Sequence, residues 1–194
     1  MSVINEFNLS KFNEICLDVI DEYETGDYNL VEGKSSYNIN NEFLFDSRLM
    51  PLAKQIQGCI NQYIHDSSTS PLLESSVISA SWFNILGKGG IVSKHRHVES
   101  WDVEEGSVVS GAYYPYVDED SSPLFFNLPN GIISKPVKSG QMILFPSWAD
   151  HWTEKNQSEK RITVSFNTVR KSIVLKKFPN SVKEAEERLK NDSS

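Results

Sequence analysis

A series of short β-rich segments between residues 76 and 170 limits the possible fold more than any other feature of the sequence. Apolar and polar residues alternate in these segments, and Gly, Pro, Asp and Ser separate them. Such a series is typical of two facing sheets in a sandwich or barrel. We predict strands at Val77–Leu86, Gly90–His97, Ser107–Tyr116, Pro123–Asn127, Gly131–Val137, Gln141–Phe145, His151–Glu154 and Arg161–Arg170.

The amino-terminal part has helical rather than β periodicity. Apolar residues recur every three or four positions over 9–23 and 49–64, which predicts two amphipathic helices. The stretch 26–41 between them is predicted to be irregular, and a capping-box pattern at 181–184 predicts a last short helix to about residue 190. Helices followed by strands predict an α+β, mainly β fold in which the helices pack on one sheet.

The length of 194 residues favours a single domain, 1–194. Within it we expect a helical support at 1–75, a β core at 76–170, and a carboxy-terminal strand and short helix at 171–194. The net charge of −7 makes general nucleic-acid binding unfavourable, because a phosphate backbone is also negative.

The sequence has no apolar run long enough to cross a membrane and no apolar stretch near its amino terminus. We therefore expect neither a membrane span nor a secretory signal. The two cysteines, Cys16 and Cys59, lie in predicted helices and are too few for a disulfide scaffold. These features predict a cytoplasmic protein, located in the host cytoplasm if the chain is viral.

Three of the four histidines are candidates for metal binding. His95 and His97 lie two residues apart, so alternation places both rings on one face of a strand, and His151 joins them if its strand is a neighbour. Neutral imidazole binds Fe(II), Zn(II), Cu(II) and Ni(II), and a set of three leaves positions open for other ligands. The alternative is that the pair is a solvated strand end.

The last predicted strand carries a second candidate feature, ten residues after His151. One of its faces is apolar, whereas the other bears Arg161, Thr163, Ser165 and Asn167. A guanidinium beside hydroxyl groups is suited to binding a carboxylate through paired hydrogen bonds. A half-exposed surface strand would show the same alternation, so this alternative also stays open.

Together these residues resemble the 2-oxoglutarate- and Fe(II)-dependent oxygenases, whose fold is a double-stranded β-helix of the jelly-roll or cupin-like type. The family pattern is a His-x-Asp/Glu pair, a distal His and an Arg or Lys about ten residues later. It is similar to His95-Arg96-His97, His151 and Arg161 here. The wider run from Trp82 to Asn167, with SGAYY and FPSW segments, resembles a branch of that superfamily common in marine bacteria and their phages.

The resemblance implies an enzyme, a dioxygenase that uses Fe(II) and 2-oxoglutarate and releases succinate and CO2 while hydroxylating a substrate. The metal ligands it implies are His95, His97 and His151, with no further catalytic residue, and the oxoacid contacts are Arg161, Thr163 and Tyr114. The substrate expected on this basis is a small molecule or a protein side chain.

The sequence departs from the general family pattern at His97, where most relatives have an acidic residue. Two ligand sets follow. In one, all three histidines bind iron; in the other, the register shifts by two and His97-Val98-Glu99 supplies a His-x-Glu pair.

Two other functions also fit the pattern. A cupin-like metalloprotein would keep the histidines without oxoacid chemistry, and a structural or virion protein would keep the fold without a metal.

Overall fold

Antiparallel β-structure makes up most of the molecule. The computed structural model describes residues 3–27, 30–66, 75–97 and 108–177. The strands in these ranges are β1 Asn5–Asn8, β2 Leu30–Ser35, β3 Ser76–Val92, β4 Val109–Val117, β5 Leu124–Leu128, β6 Gly131–Lys135, β7 Gln141–Pro146, β8 Asp150–Trp152 and β9 Arg161–Arg170. They form a six-stranded sheet, β1-β7-β4-β9-β3-β2, and a three-stranded sheet, β6-β5-β8.

Two helices cover one face of the larger sheet. They are α1 Asn13–Ile20 and α2 Met50–Asp66, and their buried residues, including Cys16 and Cys59, share one core with buried side chains of the sheet. A short helix, α3 Lys171–Lys177, follows β9. The predicted α+β order with helices on one sheet is therefore observed. No helix in the described ranges has the length and apolarity needed to cross a membrane.

The alternation of β9 determines what lies on each face of the larger sheet. Ile162, Val164 and Phe166 are buried in the core beneath the helices. Opposite Phe166 in the neighbouring strand is Gly111, where a Cβ atom would overlap the Phe166 ring. The polar residues of β9 therefore point the other way, into the space between the two sheets.

A second, smaller core lies between the sheets. Tyr114 and Phe145 of the larger sheet pack there with Leu124 and Phe126 of the smaller one. This core fills part of the space, and a cavity takes up the rest.

The prediction of separate strands at Val77–Leu86 and Gly90–His97 was wrong, because β3 runs unbroken from Ser76 to Val92. The glycines that suggested a turn form a bulge instead: the register with β2 shifts between Val31 and Gly33, and Gly89 has φ +82°. The histidine pair lies beyond the end of β3. His95 makes one isolated bridge with His151.

The prediction that 26–41 is irregular was also wrong in part, since β2 lies within it, and β1 was not predicted. The first helix is shorter than predicted, with a 3₁₀ turn at Ser10–Phe12 before α1. The expected helix after residue 181, the start of the strand at Ser107, and Glu99 lie outside the described residues. The single-domain organisation stays a prediction.

Candidate active site

His95, His97 and His151 come together where the end of β3 meets β8. The backbone N–H groups of His95 and His151 each donate to the carbonyl of the other, at 3.0 and 2.8 Å. One nitrogen from each of the three rings lies within 4.8 Å of the others. We call these three residues the histidine cluster. Their arrangement is one that three ligands of a single metal ion require.

In two of the three rings, a backbone carbonyl determines which nitrogen carries a proton. Nδ1–H of His95 donates to the Ser93 carbonyl at 2.8 Å, and Nδ1–H of His151 donates to the Ala149 carbonyl at 3.0 Å. Because the proton of each ring is then on Nδ1, the Nε2 lone pair is available to a metal.

The surroundings of the histidine cluster favour neutral imidazole. Burial, followed by the charges of His151 and His95, lowers the pKa of His97 to about 3. Burial, followed by the charge of His95, also lowers the pKa of His151 to about 3. Phe145 packs on His151 with ring centroids 4.7 Å apart, and Trp82 packs edge-on to His97 at 6.0 Å. Neutral rings are the form that a metal binds.

Arg161 is the centre of a second polar group in the same space. Its Nη1 donates to Thr163 Oγ1 at 3.0 Å, and its Nη2 donates to Tyr114 Oη at 3.4 Å. We call these three residues the arginine cradle. All are buried, with 2% of Arg161 exposed. Nε of Arg161 has no hydrogen-bond partner in the described part of the chain.

The electrostatics of the arginine cradle are unusual because its cation has no counter-ion among the described residues. Burial lowers the pKa of Arg161. Burial also raises the pKa of Tyr114, although the Arg161 charge opposes that shift. A buried charge without a partner is costly, so this arrangement favours an anionic ligand.

One cavity of about 320 Å³ connects the histidine cluster with the arginine cradle. Its described lining contains two arginines, Arg96 and Arg161, but no Asp or Glu. All six residues predicted from the sequence therefore lie around one space. The donor chemistry fits both groups that the resemblance implies, because imidazole nitrogens suit Fe(II) and an unpaired guanidinium suits a carboxylate.

Sequence reasoning missed several other lining residues. Ser35 and Tyr37 come from β2 and the loop after it, in the stretch predicted to be irregular. Ser35 Oγ donates to Asn84 Oδ1 at 2.7 Å, and the Tyr37 ring packs edge-on to Trp82 with centroids 5.0 Å apart. Asn167 was noted only as part of a polar face, whereas its amide contacts His97.

Comparison with known proteins agrees with this geometry. Residues 127–167, which include β7, β8 and most of β9, match a family model described as "Putative 2OG-Fe(II) oxygenase". No curated protein sequence matches the chain.

Solved structures of low sequence identity share the fold. A prolyl-4-hydroxylase from Pseudomonas putida is 14% identical with a TM-score of 0.59, over 87% of this chain and 92% of that one. A Trichoplax adhaerens prolyl hydroxylase, solved with a hypoxia inducible factor peptide, is 13% identical with a TM-score of 0.58, over 84% and 82%. HygX from Streptomyces hygroscopicus, solved with nickel, 2-oxoglutarate and hygromycin B, is 9% identical with a TM-score of 0.62, over 88% and 84%.

The predicted double-stranded β-helix is thus confirmed, as is the general family resemblance, while the marine and phage branch stays a prediction. The matched segment contains both His151 and Arg161. The fold, the matched segment and the donor chemistry of the cavity therefore agree in their similarity to the 2-oxoglutarate- and Fe(II)-dependent oxygenases, and the histidine cluster has the donor groups for a metal ion.

Proposed function

We propose that this protein is a dioxygenase that hydroxylates a small molecule or a protein side chain and converts 2-oxoglutarate to succinate and CO2. The histidine cluster holds the metal, and the arginine cradle holds the far carboxylate of 2-oxoglutarate. The observation that carries the proposal is the buried Arg161 guanidinium, which has no acidic partner in the described ranges and lines the same cavity as the three histidines.

The arginine cradle is built for one end of a dicarboxylate. Thr163 and Tyr114 hold the guanidinium by accepting from it, so both hydroxyl groups keep their own hydrogens for donation to a ligand. A carboxylate here would receive charge-assisted hydrogen bonds in a dry setting, where such bonds are strongest. It would also neutralise the buried charge.

Iron(II) and 2-oxoglutarate, when bound, supply the oxidation of the substrate by dioxygen. The chain's own contribution is to hold, orient and shield. His95 and His151 present Nε2 with the proton fixed on Nδ1. Phe145 packs on His151 and Trp82 packs on His97, and these apolar contacts shield the two rings from water. No other side chain is needed as an acid or a base.

The aromatic and polar residues on the other side of the cavity favour the proposed substrate class. Tyr37 and Trp82 give it an aromatic wall, and the Asn84 amide and Arg96 are polar groups beside that wall. Two of the similar structures hold a peptide and hygromycin B. A partly aromatic pocket with a few polar groups suits a small molecule or a single side chain better than a nucleic-acid backbone.

Anaerobic titration of the purified protein with Fe(II) and then 2-oxoglutarate tests this function. A visible charge-transfer band appears when the oxoacid chelates protein-bound iron. We expect the band in the wild type, a band at much higher 2-oxoglutarate concentration in Arg161→Gln, and none in His151→Ala. Arg48→Gln, at an exposed arginine, is the matched control and should behave as the wild type. Succinate produced under air then measures turnover.

The same titration separates the alternatives. Iron binding without a band in the wild type would favour a cupin-like metalloprotein, and no iron binding would favour a structural role. The Glu99→Gln variant distinguishes the two ligand sets: an all-histidine set predicts an unchanged band, whereas a shifted register predicts its loss. Loss of the band in His95→Ala is expected only for the all-histidine set.

A further inference from the structure

The third histidine of the cluster is held differently from the other two. His95 and His151 donate Nδ1–H to backbone carbonyls, which are acceptors only. In the structure, Nδ1 of His97 instead lies 3.3 Å from Nδ2 of the Asn167 side chain, so the NH2 end of this amide faces the ring. An amide has a donor end and an acceptor end, so this contact exists in two chemically different forms.

The direction of the Asn167 amide decides whether His97 is able to bind a metal through Nε2. If NH2 faces the ring, Nδ1 accepts and the single proton of the neutral ring is on Nε2, which then has no free lone pair. If Oδ1 faces the ring, Nδ1–H donates and Nε2 is free. Only the second form matches the state of His95 and His151.

The other end of Asn167 meets a pair of groups that accept either direction. Ser110 Oγ donates to Asn167 Oδ1 at 2.8 Å and lies 2.8 Å from Ser147 Oγ, and both serines are buried. A hydroxyl donates one hydrogen bond and also accepts. When Asn167 Oδ1 faces Ser110, the Ser110 hydroxyl donates to it. When the Asn167 NH2 group faces Ser110, the Ser110 hydroxyl accepts from it and donates to Ser147 instead.

Ser147 also fixes the backbone at this place, because its carbonyl accepts from the His97 N–H at 3.0 Å. Backbone and ring of His97 are thus tied to one polar chain that runs from Ser147 through Ser110 to Asn167. This chain lies on the side of the histidine cluster away from Arg161, since Asn167 pairs with Ser110 and Arg161 pairs with Val117.

We propose that Asn167 is a positioning residue whose amide turns over from the direction seen in the structure, so that Oδ1 accepts Nδ1–H and holds His97 in its metal-binding form. The Ser110–Ser147 pair makes this possible by accepting from the Asn167 NH2 group. The inference rests on the proposed function in one respect, that His97 is a metal ligand. It assigns a role to the last residue of the polar face of β9, which the oxoacid site does not use.

Two substitutions of Asn167 separate this role from simple packing. Asn167→Asp keeps an oxygen toward Nδ1–H but removes the NH2 group, and Asn167→Leu keeps the size but removes both. The same two changes at Asn61, on the exposed face of α2, control for the added charge and the lost amide. Co(II) alone, added to the metal-free protein and followed by its visible spectrum, is the probe.

We expect Asn167→Leu to weaken Co(II) binding by about 10- to 100-fold, and Asn167→Asp to stay within about threefold of the wild type. The ¹⁵N signals of the His97 ring, assigned with His97→Gln, should show the proton on Nδ1 in the Zn(II)-loaded wild type. Unchanged Co(II) affinity in Asn167→Leu would overturn the proposal, as would equal losses in both variants or a proton on Nε2 with zinc bound.

Failure of the proposed function would look different. If the wild type bound no Co(II), His97 would not be a ligand, and the metal site itself would be refuted. The metal-free ¹⁵N spectra would still test Asn167: Asn167→Asp should have the His97 proton on Nδ1, and Asn167→Leu should have a mixture of both ring forms. Identical spectra for the two variants would show that Asn167 does not control this ring.

Discussion

The arginine cradle and the histidine cluster line one cavity but are built in different ways. The arginine cradle lies within two adjacent strands: Arg161 and Thr163 belong to β9, Tyr114 belongs to β4 where the register between the two strands shifts, and all three are buried. The histidine cluster lies on a segment beyond β3 that is joined to β8 by a single bridge, and His95 is exposed. The arginine cradle is closed to solvent, whereas the histidine cluster is partly open.

The arginine cradle and the histidine cluster also differ in their electrostatics. The arginine cradle holds a full buried charge before any ligand arrives, which costs stability in the ligand-free protein. The His97 and His151 rings are neutral at pH 7, because burial lowers their pKa values to about 3, and they destabilise the fold only when they are protonated. We conclude that a site with a permanently charged side chain needs closely packed strands around it. A site with neutral side chains tolerates a segment that is held by fewer backbone hydrogen bonds.

The largest effect is expected from disrupting the pairing of β4 with β9, the two strands that carry the arginine cradle. Gly111→Ala places a Cβ atom into the Phe166 ring, between β4 and β9. We expect a loss of about 3 kcal/mol in the free energy of unfolding, measured by urea denaturation. Gly58→Ala, in α2 where a Cβ has open space, should instead gain up to about 1 kcal/mol. A mild Gly111→Ala would mean that the strands adjust freely.

In the metal-free protein, lowering the pH from 7.5 to 5.5 should reduce the free energy of unfolding by about 1 kcal/mol for each of the His97 and His151 rings. The pKa values of His97 and His151, about 3, lie below that of an unfolded histidine. The unfolded state therefore binds more protons below about pH 6.5, so stability is present above that pH and falls as the pH is lowered. Urea denaturation at pH 7.5 and 5.5 measures the loss.

Replacing one ring by a group that does not titrate sharpens this result. His97→Gln should remove roughly half of the loss, while His65→Gln, at the exposed end of α2, should remove none. Equal behaviour of these two variants would contradict a contribution from the histidine cluster.

Removing the charge of the arginine cradle should raise the stability of the ligand-free protein but weaken the binding of 2-oxoglutarate. Arg161→Met removes an uncompensated buried cation and fills a similar volume, so the ligand-free protein should gain about 1 kcal/mol. Thermal melts with Fe(II) and 2-oxoglutarate should then lack the stabilisation by 2-oxoglutarate that the wild type shows. Arg48→Met, which breaks exposed ion pairs, should lose a little stability and keep the response. A large loss in Arg161→Met would show that the charge is already compensated.

The sequence predicts the arginine cradle better than the histidine cluster, and strand periodicity explains why. Alternation in β9 correctly separated the buried apolar face from the polar face that lines the cavity. In β4 the same alternation puts Ala112 and Tyr114 on the cavity side. For the histidines, residue type and the resemblance were informative, but the expected strand was wrong, because β3 ends at Val92.

The features that could not be predicted depend on contacts between distant residues. β2 contains Gly33 and three charged or polar residues, and it is a strand because it pairs with β3. The glycines near Gly89 are a bulge only in the presence of that partner. The contact of Asn167 with His97 spans 70 positions, and no local pattern encodes it.

The smallest effect is expected at the solvent side of the histidine cluster. Lys94 pairs with Asp150 at 3.3 Å and lies over the Trp152 ring, but half of its side chain is exposed. Because exposed ion pairs are screened by water and salt, Lys94→Met should cost about 0.5 kcal/mol or less, and the difference should vanish in high salt. Co(II) affinity should stay unchanged, since Lys94 binds none of the three rings. A cost that equals the effect of Arg161→Met, or that survives high salt, would show that this side of the cavity is as closed as the arginine cradle.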